Sequence, residues 1–407
     1  MSRLDDLIER YAPEGVEYKA LGDVGTFVRG NGLQKKDLVG AGVPAIHYGQ
    51  IHTVYGVWAT ETISYVTPEL SARLRKAEPG DLVIATTSED DAAVAKATAW
   101  LGPVAAAVSG DAYVYRHTLE PKFVAYFFQS ARFQDQKTSG ITGTKVRRIS
   151  GERLAKIRIP VPPPEVQREI VRILDAFTEL EAELEAELEA RRRQYVHYWN
   201  RLLTPSYGWI PVTVGDVADV FDGPHATPRK TSHGPWYLSI ASLKRGWFDL
   251  DASARLSQED FPKWTRRASA KRGDTLFSYE TRVGEAATWY LDEPAALGRR
   301  MGALRARQGV IDPRFLTLVY LGPEFQSTIR RRTVTGATVD RIPIADMTSW
   351  PISIPPLAEQ RRIVAILDGF DALVNNLSSG LPAEIAARRQ QYAYYRDRLL
   401  SFEEAVA

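Results

Sequence analysis

Two octapeptides carry the clearest chemical signal in the chain: TGTKVRRI at residues 142–149 and TGATVDRI at residues 335–342. A Thr-Gly turn presents backbone N–H groups, and cations crowd around it. They are Lys145, Arg147 and Arg148 in the first case, and Arg330, Arg331, Arg332 and Arg341 in the second. Phosphate oxygens accept from such donors, and cations opposite phosphates supply much of the affinity for a nucleic-acid duplex. Thr142, Gly143, Thr335 and Gly336, with these cations, form one candidate set, for phosphate contact. The same residues also suit a plain turn before an edge strand, with solvated charges beside it.

A second set comes from two loops that do not resemble each other, RGNGLQKKDLVGAG (29–42) and DGPHATPRKTSHG (222–234). Both are Gly-rich, polar and cationic, which suits loops that enter a groove. Gln34, Lys35 and Lys36 in one, and Arg229 and Lys230 in the other, are candidate base readers, and Arg29 at the start of the first is a further DNA-binding candidate: Lys and Arg match guanine edges and Gln matches adenine. Gln50 in HYGQIH and Ser242 in LSIASLK follow short strands at roughly matching positions and complete the set. Unconstrained surface would diverge in the same way.

Bond-making chemistry has no comparable signal. The absence of cysteine removes disulfides, thiolate metal sites and thiol nucleophiles and agrees with a reducing compartment. The six histidines (His47, His52, His117, His197, His225, His233) show no HExxH-like spacing, and neither GxGxxG, GxxxxGK[ST] nor an NPPY-like tetrapeptide occurs. No catalytic residue, metal site or cofactor is therefore expected. The N-terminal MSRLDDLIERY lacks the pattern of a signal peptide, and no apolar run approaches the roughly 20 residues that span a bilayer. A cytoplasmic protein without membrane contact is expected, and 407 residues at 44% hydrophobic suffice for several globular cores.

The elements that must position these candidates are written twice. A shift of 193 residues lays LGDV (21–24) on VGDV (214–217), Gly80-Asp81 on Gly273-Asp274, and each octapeptide on the other. It also lays VPPPEVQREIVRILDAF (161–177) on IPPLAEQRRIVAILDGF (354–370). A constant offset over such a length marks a tandem duplication. Each copy begins with short apolar runs such as DLVIATT, AYVYR and DTLFSYE, bounded by Gly, Pro, Asp and Ser, which read as strands of a mixed α/β domain. The Gly-Asp pairs read as turns before such strands.

Each copy then passes through prolines into a long helix, Pro being tolerated in the first turn. Ile170, Ile173, Leu174, Phe177, Leu180, Leu184 and Leu188 recur at spacings of three and four, which predicts one apolar seam. The second seam runs through Ile363, Ile366, Leu367, Phe370 and Leu373, and SSGLPAEI should break that helix and restart it near Pro382. Two such helices pack most simply as an antiparallel coiled coil, although each could instead pack on its own domain alone. The expected fold is α+β: two tandem α/β domains (1–158 and 205–351) separated by helical spacers (159–204 and 352–407) with pseudo-twofold duplication.

The run PPPEVQREIVRILDAF, its copy PPLAEQRRIVAILDGFDALV, the ending GLPAEIAARRQQYAYYRDRLLSF and the opening LDDLIERYAPEGVEYKALGDV resemble type I restriction-modification specificity subunits over essentially the whole chain. The resemblance implies a non-catalytic subunit whose two target-recognition domains each read half of a bipartite site in double-stranded DNA. It also implies that the paired helices space the halves and dock two methyltransferase subunits, with a translocase-nuclease subunit joining for cleavage. Phe177, Leu180, Leu184, Leu188, Phe370 and Leu373 are the expected spacer and docking residues. Without the resemblance, a self-sufficient DNA nuclease or methyltransferase and a coiled-coil adaptor without a DNA role stay open.

The first helix contains ELEAELEAELEA at 179–190. Its six glutamates and no cation leave a +8 excess elsewhere in a chain of net charge +2, so this helix is unsuited to lying on phosphates. Glu187 with Arg191 and Glu189 with Arg193 stand at i, i+4 in the favourable order. Beyond Asp175 and Asp368 the offset becomes 197, four residues more, the length of one ELEA unit. The expectation is that the two helices differ by one repeat-sized step and that the repeat is the adjustable part of a DNA ruler.

Overall fold

The computed structural model describes residues 3–336, 339–375 and 379–405. The chain divides into two compact units, Met1–Glu185 with Glu384–Ala407, and Ala186–Ala383.

In the first unit a globular part is closed where its chain comes in and goes out, because Tyr18–Ala20 pairs antiparallel with Arg158–Pro160. Between these ends lie two sheets. One has the spatial order Gly25–Arg29, Ala112–His117, Leu82–Ala85, Ala97–Trp100, Trp58–Ala59; the other runs Ser64–Val66, Val43–Ile46, Ala106–Val108, Lys76–Ala77. The strand LVIA is buried at every position. Side chains alternate across a strand, so Leu82 and Ile84 join one core with Phe123, Phe127 and Phe133, while Val83 and Ala85 join another around Trp100. A strand with a core on each face reads as a continuous apolar run.

The second unit repeats this plan. Ile210–Thr213 closes on Pro351–Ile354, and the two sheets run Ala218–Asp222, Met301–Ala306, Thr275–Ser278, Ala286–Thr288 and Ala254–Arg255, Thr231–Leu238, Ala295–Leu297, Ser269–Ala270. Leu276 and Phe277 again divide between two cores. The Gly-Asp turns match in detail. Gly80 and Gly273 take φ of +101° and +90°, and the following carboxylate accepts from Glu78 N at 2.8 Å or from Lys271 N at 2.8 Å.

Pro164–Leu202 is a single helix of 39 residues that includes the whole ELEA repeat. Its counterpart is split into Leu357–Val374, of 18 residues, and Gly380–Leu399, of 20. Gly380 restarts the helix at φ +71°, and a Cβ there would stand 2.5 Å from the Leu373 carbonyl oxygen, so the position demands glycine. Together the two pieces contain one residue fewer than the uninterrupted helix. The expected repeat-sized difference falls between Val374 and Gly380, where residues 376–378 lie outside the described residues; the described helical pieces themselves contain no additional repeat-sized turn.

Both pieces pack antiparallel on the long helix, each inside its own unit. In the first unit Phe177 stacks on Tyr395 at 5.6 Å and meets Tyr392 at 6.4 Å, while the Arg389 guanidinium binds Glu181 at 2.6 Å and also Glu185. In the second, Phe370 stacks on Tyr198 at 5.3 Å and meets Tyr195 at 6.4 Å. These are the same aromatic contacts with the copies exchanged. Leu180, Leu184 and Leu188 are half-buried, whereas the repeat's other residues except Glu181 are exposed. Glu187–Arg191 and Glu189–Arg193 do form, at 3.2 and 3.3 Å; exposed pairs of this kind contribute a few tenths of a kcal/mol.

A buried glutamine fixes each helix to its domain. Gln167 accepts from Glu120 N at 2.9 Å and donates to Pro162 O at 2.7 Å; Gln360 accepts from Asp312 N at 2.8 Å and donates to Pro355 O at 2.8 Å. Among the described residues no helix is long and apolar enough to cross a membrane.

His117, at the end of the strand Ala112–His117, lies against Tyr115 with ring centroids 5.1 Å apart. Burial pushes its pKa down to about 4, partly offset by the Leu119 backbone. The unfolded chain protonates first as pH falls, so the stability this histidine supports is complete above about pH 6.5 and is lost towards pH 4, at up to about 1.4 kcal/mol per pH unit. Chemical denaturation between pH 7 and 4 should show this slope, and His117→Gln should flatten it.

Candidate nucleic-acid interface

In the first unit a continuous run of hydrogen bonds brings the candidates to one rim of the five-stranded sheet. Arg29 Nε donates to Gly110 O at 3.0 Å, and its guanidinium lies 3.8 Å from Asp111. Asp111 O accepts from Thr86 N at 3.0 Å, and Thr86 O accepts from Ile149 N at 3.2 Å. Beyond Thr86, Thr87–Ser88 pairs antiparallel with Arg147–Arg148, so the Thr-Gly hairpin hangs on the end of the central strand.

The hairpin itself is closed by Thr142 N→Arg148 O at 2.9 Å and Arg148 N→Thr142 O at 2.8 Å. Gly143 takes φ +95°, and a Cβ on it would meet the Val146 carbonyl at 2.2 Å. Arg147 is spent on the hairpin and its neighbour loop, donating to Gly143 O at 2.7 Å and pairing with Asp91 at 3.0 Å. Thr142, Gly143, Lys145 and Arg148 are exposed, and the side chains of Lys145 and Arg148 have no hydrogen-bond or ion-pair partner among the described residues. The neighbouring loop is fixed by Lys137, which donates to Ala92 O at 2.8 Å and Val94 O at 2.7 Å; burial pushes its pKa down to about 8, with Asp90 and Asp91 opposing.

The loop after Arg29 lies beside this rim. Lys35 and Lys36 are exposed on a short 3-10 turn that Gln34 and Asp37 cap reciprocally, so the Gln34 side chain is partly committed to the turn. His47, whose pKa burial lowers, senses both Asp111 and Lys35. Gln50 is engaged internally: its oxygen accepts from His47 N at 2.9 Å and its amide donates to Ser64 Oγ at 2.6 Å.

The second unit builds the same rim. Gly223 N donates to Met301 O at 3.0 Å, Tyr279 N to Arg300 O at 3.2 Å, and Ile342 N to Tyr279 O at 2.8 Å. Arg341 pairs through its backbone with Glu280 and with Val334, closing the second hairpin; Ala337 and Thr338 lie outside the described residues. Thr335, Gly336 and Arg341 are exposed. Arg229 and Lys230 are exposed and have no side-chain partner among the described residues.

The arginine run splits. Arg330 is exposed, Arg331 donates to Ser327 Oγ at 2.7 Å and Thr328 Oγ1 at 3.0 Å, and Arg332 lies 5.4 Å over the Trp350 ring. Ser242 is fully buried with its hydroxyl bonded to Ser239 O at 2.8 Å, so it cannot reach a ligand from this position.

Sequence reasoning passed over Arg73 and Arg266, which match at the 193-residue shift and are exposed in both units. Arg73 O accepts from Asn31 in the loop that carries Lys35, and Arg75 donates to Arg29 O at 2.6 Å. Arg267 lies 3.8 Å from Asp222, the residue that opens the second loop. The coincidence of Arg73 with Arg266 in the self-comparison was the available signal.

The family model described as type I restriction modification DNA specificity domain matches residues 13–190 and again residues 208–387. The chain belongs to this family. A putative type I restriction enzyme specificity subunit of Haemophilus influenzae is 31% identical over 271 residues, covering 64% of this chain and 68% of the relative. A type I restriction enzyme specificity subunit of Escherichia coli is 32% identical over 277 residues, covering 62% of this chain and 65% of the relative, so these matches span about two thirds of each relative. A chain from a structure titled for complex assembly and conformational transition of the type I R-M system shares the fold, with a TM-score of 0.59 at 21% identity over 96% of this chain and 98% of that one.

For a DNA specificity domain the two kinds of rim residue predict different losses. Lys145→Ala with Arg148→Ala should weaken binding to every duplex alike and reduce the slope of log affinity against log salt by about two. Lys35→Ala with Lys36→Ala should instead change sequence preference. Titrations of specific and random duplexes at several salt concentrations separate the two outcomes.

Proposed function

We propose that this chain is the DNA-reading, non-catalytic subunit of a type I restriction-modification complex, and that each globular domain reads one half of a bipartite site. The observation that carries the reading is the pair of rims: one backbone hydrogen-bond scheme, built twice, with unlike loops mounted on it. Repeated parts suit what every duplex shares, its phosphates. The parts that differ suit what two half-sites do not share, their bases.

In this reading Thr142, Gly143, Lys145 and Arg148, with Thr335, Gly336, Arg330 and Arg341, hold phosphates. Arg29, Lys35, Lys36, Arg229 and Lys230 face base edges, and Arg73 and Arg266 add charge beside them. Four segments share the work: recognition domains at 1–158 and 205–351, helical spacers at 159–204 and 352–407. Two methyltransferase subunits dock on the spacers and supply adenine-N6 methylation, and a translocase-nuclease subunit joins them for cleavage. The seam residues Phe177, Leu180, Leu184, Leu188, Phe370 and Leu373 serve this scheme first by pairing the helices.

The ELEA repeat acts as the spacing element. One unit adds about 6 Å of helix, against roughly 34 Å per 10 base pairs of duplex, so it is equivalent to at most about two base pairs.

Co-expression with the methyltransferase subunit that partners this chain, followed by mapping of methylated adenines, should return two short half-sites separated by unspecified bases. Methylation without sequence preference, or at one continuous site, would overturn the assignment. A variant lacking Glu187–Ala190 should shift the gap and keep both half-sites; an unaltered gap rules out the spacing role.

A further inference from the structure

The matched backbone bonds identify residues that occupy the same place in the two rims. Gly30 N→Ala112 O corresponds to Gly223 N→Met301 O, and Thr86 N→Asp111 O corresponds to Tyr279 N→Arg300 O. Strand register agrees, since Arg29 stands opposite Tyr113 and Asp222 opposite Gly302. Arg29 is therefore replaced by Asp222, and Asp111 by Arg300. The charge is inverted at both places.

Phosphates have the same sign in every half-site, so a position that faces phosphate in both domains keeps a cation. These two do not. A conserved structural ion pair would also allow inversion, provided that the partners stayed together. Arg29 and Asp111 do lie 3.8 Å apart, but Asp222 and Arg300 form no ion pair with each other among the described residues. Asp222 turns to His225 at 3.1 Å and Arg267 at 3.8 Å, whereas Arg300 turns to Glu280 at 2.7 Å. All four side chains remain partly open to solvent, from 61% for Arg29 to 31% for Arg300.

The backbone at Arg300 sharpens the case. Arg300 and Thr281 hold φ of +70° and +68°, a left-handed conformation unusual for an arginine and more so for a β-branched threonine, and their side chains meet at 3.4 Å. Such strain persists only where the surroundings impose it, and it concentrates at ligand-binding positions.

We propose that Arg29 with Asp111 in the first domain, and Asp222 with Arg300 in the second, are specificity-determining residues: each guanidinium reads a guanine edge and each carboxylate accepts from a cytosine amine. This rests on the DNA-reading role proposed above and assigns a chemistry to each position. Arginine presents two donors to guanine O6 and N7, and a carboxylate can only accept, so the inverted pair addresses opposite base edges. His225, Arg267 and Tyr279 face Asp222, and Glu280 faces Arg300; these neighbours orient the readers.

The test uses the full chain in complex with its methyltransferase subunit, titrated against the mapped duplex and duplexes with single base-pair changes. Arg300→Gly removes the side chain and relieves the strained φ, so folding is retained, and the thermal midpoint checks this. Arg300→Gly and Asp222→Asn should each lower discrimination roughly ten- to a hundredfold at one or two adjacent base pairs of a single half-site. The other half-site should be read as before, and Arg29→Ala and Asp111→Asn should do the converse. Unchanged discrimination, or equal weakening on every duplex with a shallower salt dependence, overturns the proposal. If the parent complex shows no bipartite preference at all, it is the DNA-reading role itself that fails.

Discussion

A buried glutamine at the root of each long helix is the constraint on which the remaining arrangement depends. Gln167 and Gln360 are 3% and 0% exposed, and each satisfies its amide by bridging the domain to a proline that precedes the helix. An amide left unpaired in such a place would cost about 1–3 kcal/mol, so the bridge is strongly specified. Together with the strand pair that closes each domain, it fixes the sheet, and hence the rim at the far end of its central strand, to its own helix.

That arrangement is built twice with the same polar contacts, down to the indole of Trp100 donating to Val104 O and that of Trp289 donating to Glu293 O. The shared parts are backbone hydrogen bonds, which carry no sequence preference; the unlike parts are side chains on loops, where preference can change without disturbing the core. A duplicated scaffold with divergent rims therefore matches a task in which two related but unequal sites must be read at once. The helices follow the same economy, since Phe177 with Tyr392 and Tyr395 repeats as Phe370 with Tyr195 and Tyr198.

Much of this was legible in the residues, and the rest was hidden for identifiable reasons. The seam Ile170 to Leu188 and the break at SSGLP follow from helical periodicity and from glycine, and the structure shows both. The place of the four-residue mismatch was only partly legible: a shift in offset gives a number of residues, while the end of one helical piece at Val374 and the restart of the next at Gly380, with φ +71°, come from the structure. Gln50 and Ser242 illustrate a second limit. A short polar side chain after a strand serves as well to cap its own backbone as to meet a base, and here both do the former. Asp111, Asp222 and Arg300 are not marked by loop composition or cationic charge, because their pattern is an inversion of sign that only the superposed strand registers reveal.

The central claim is that the two domains are one scaffold with two readings, and the most direct measurement is the methylation pattern of a chain in which residues 210–354 are replaced by a copy of residues 17–161. The strand pairs that close the domains fall inside these limits, so the exchange preserves the scaffold at both junctions. The first half-site should then appear twice and the second should vanish. Persistence of the second half-site would contradict the account.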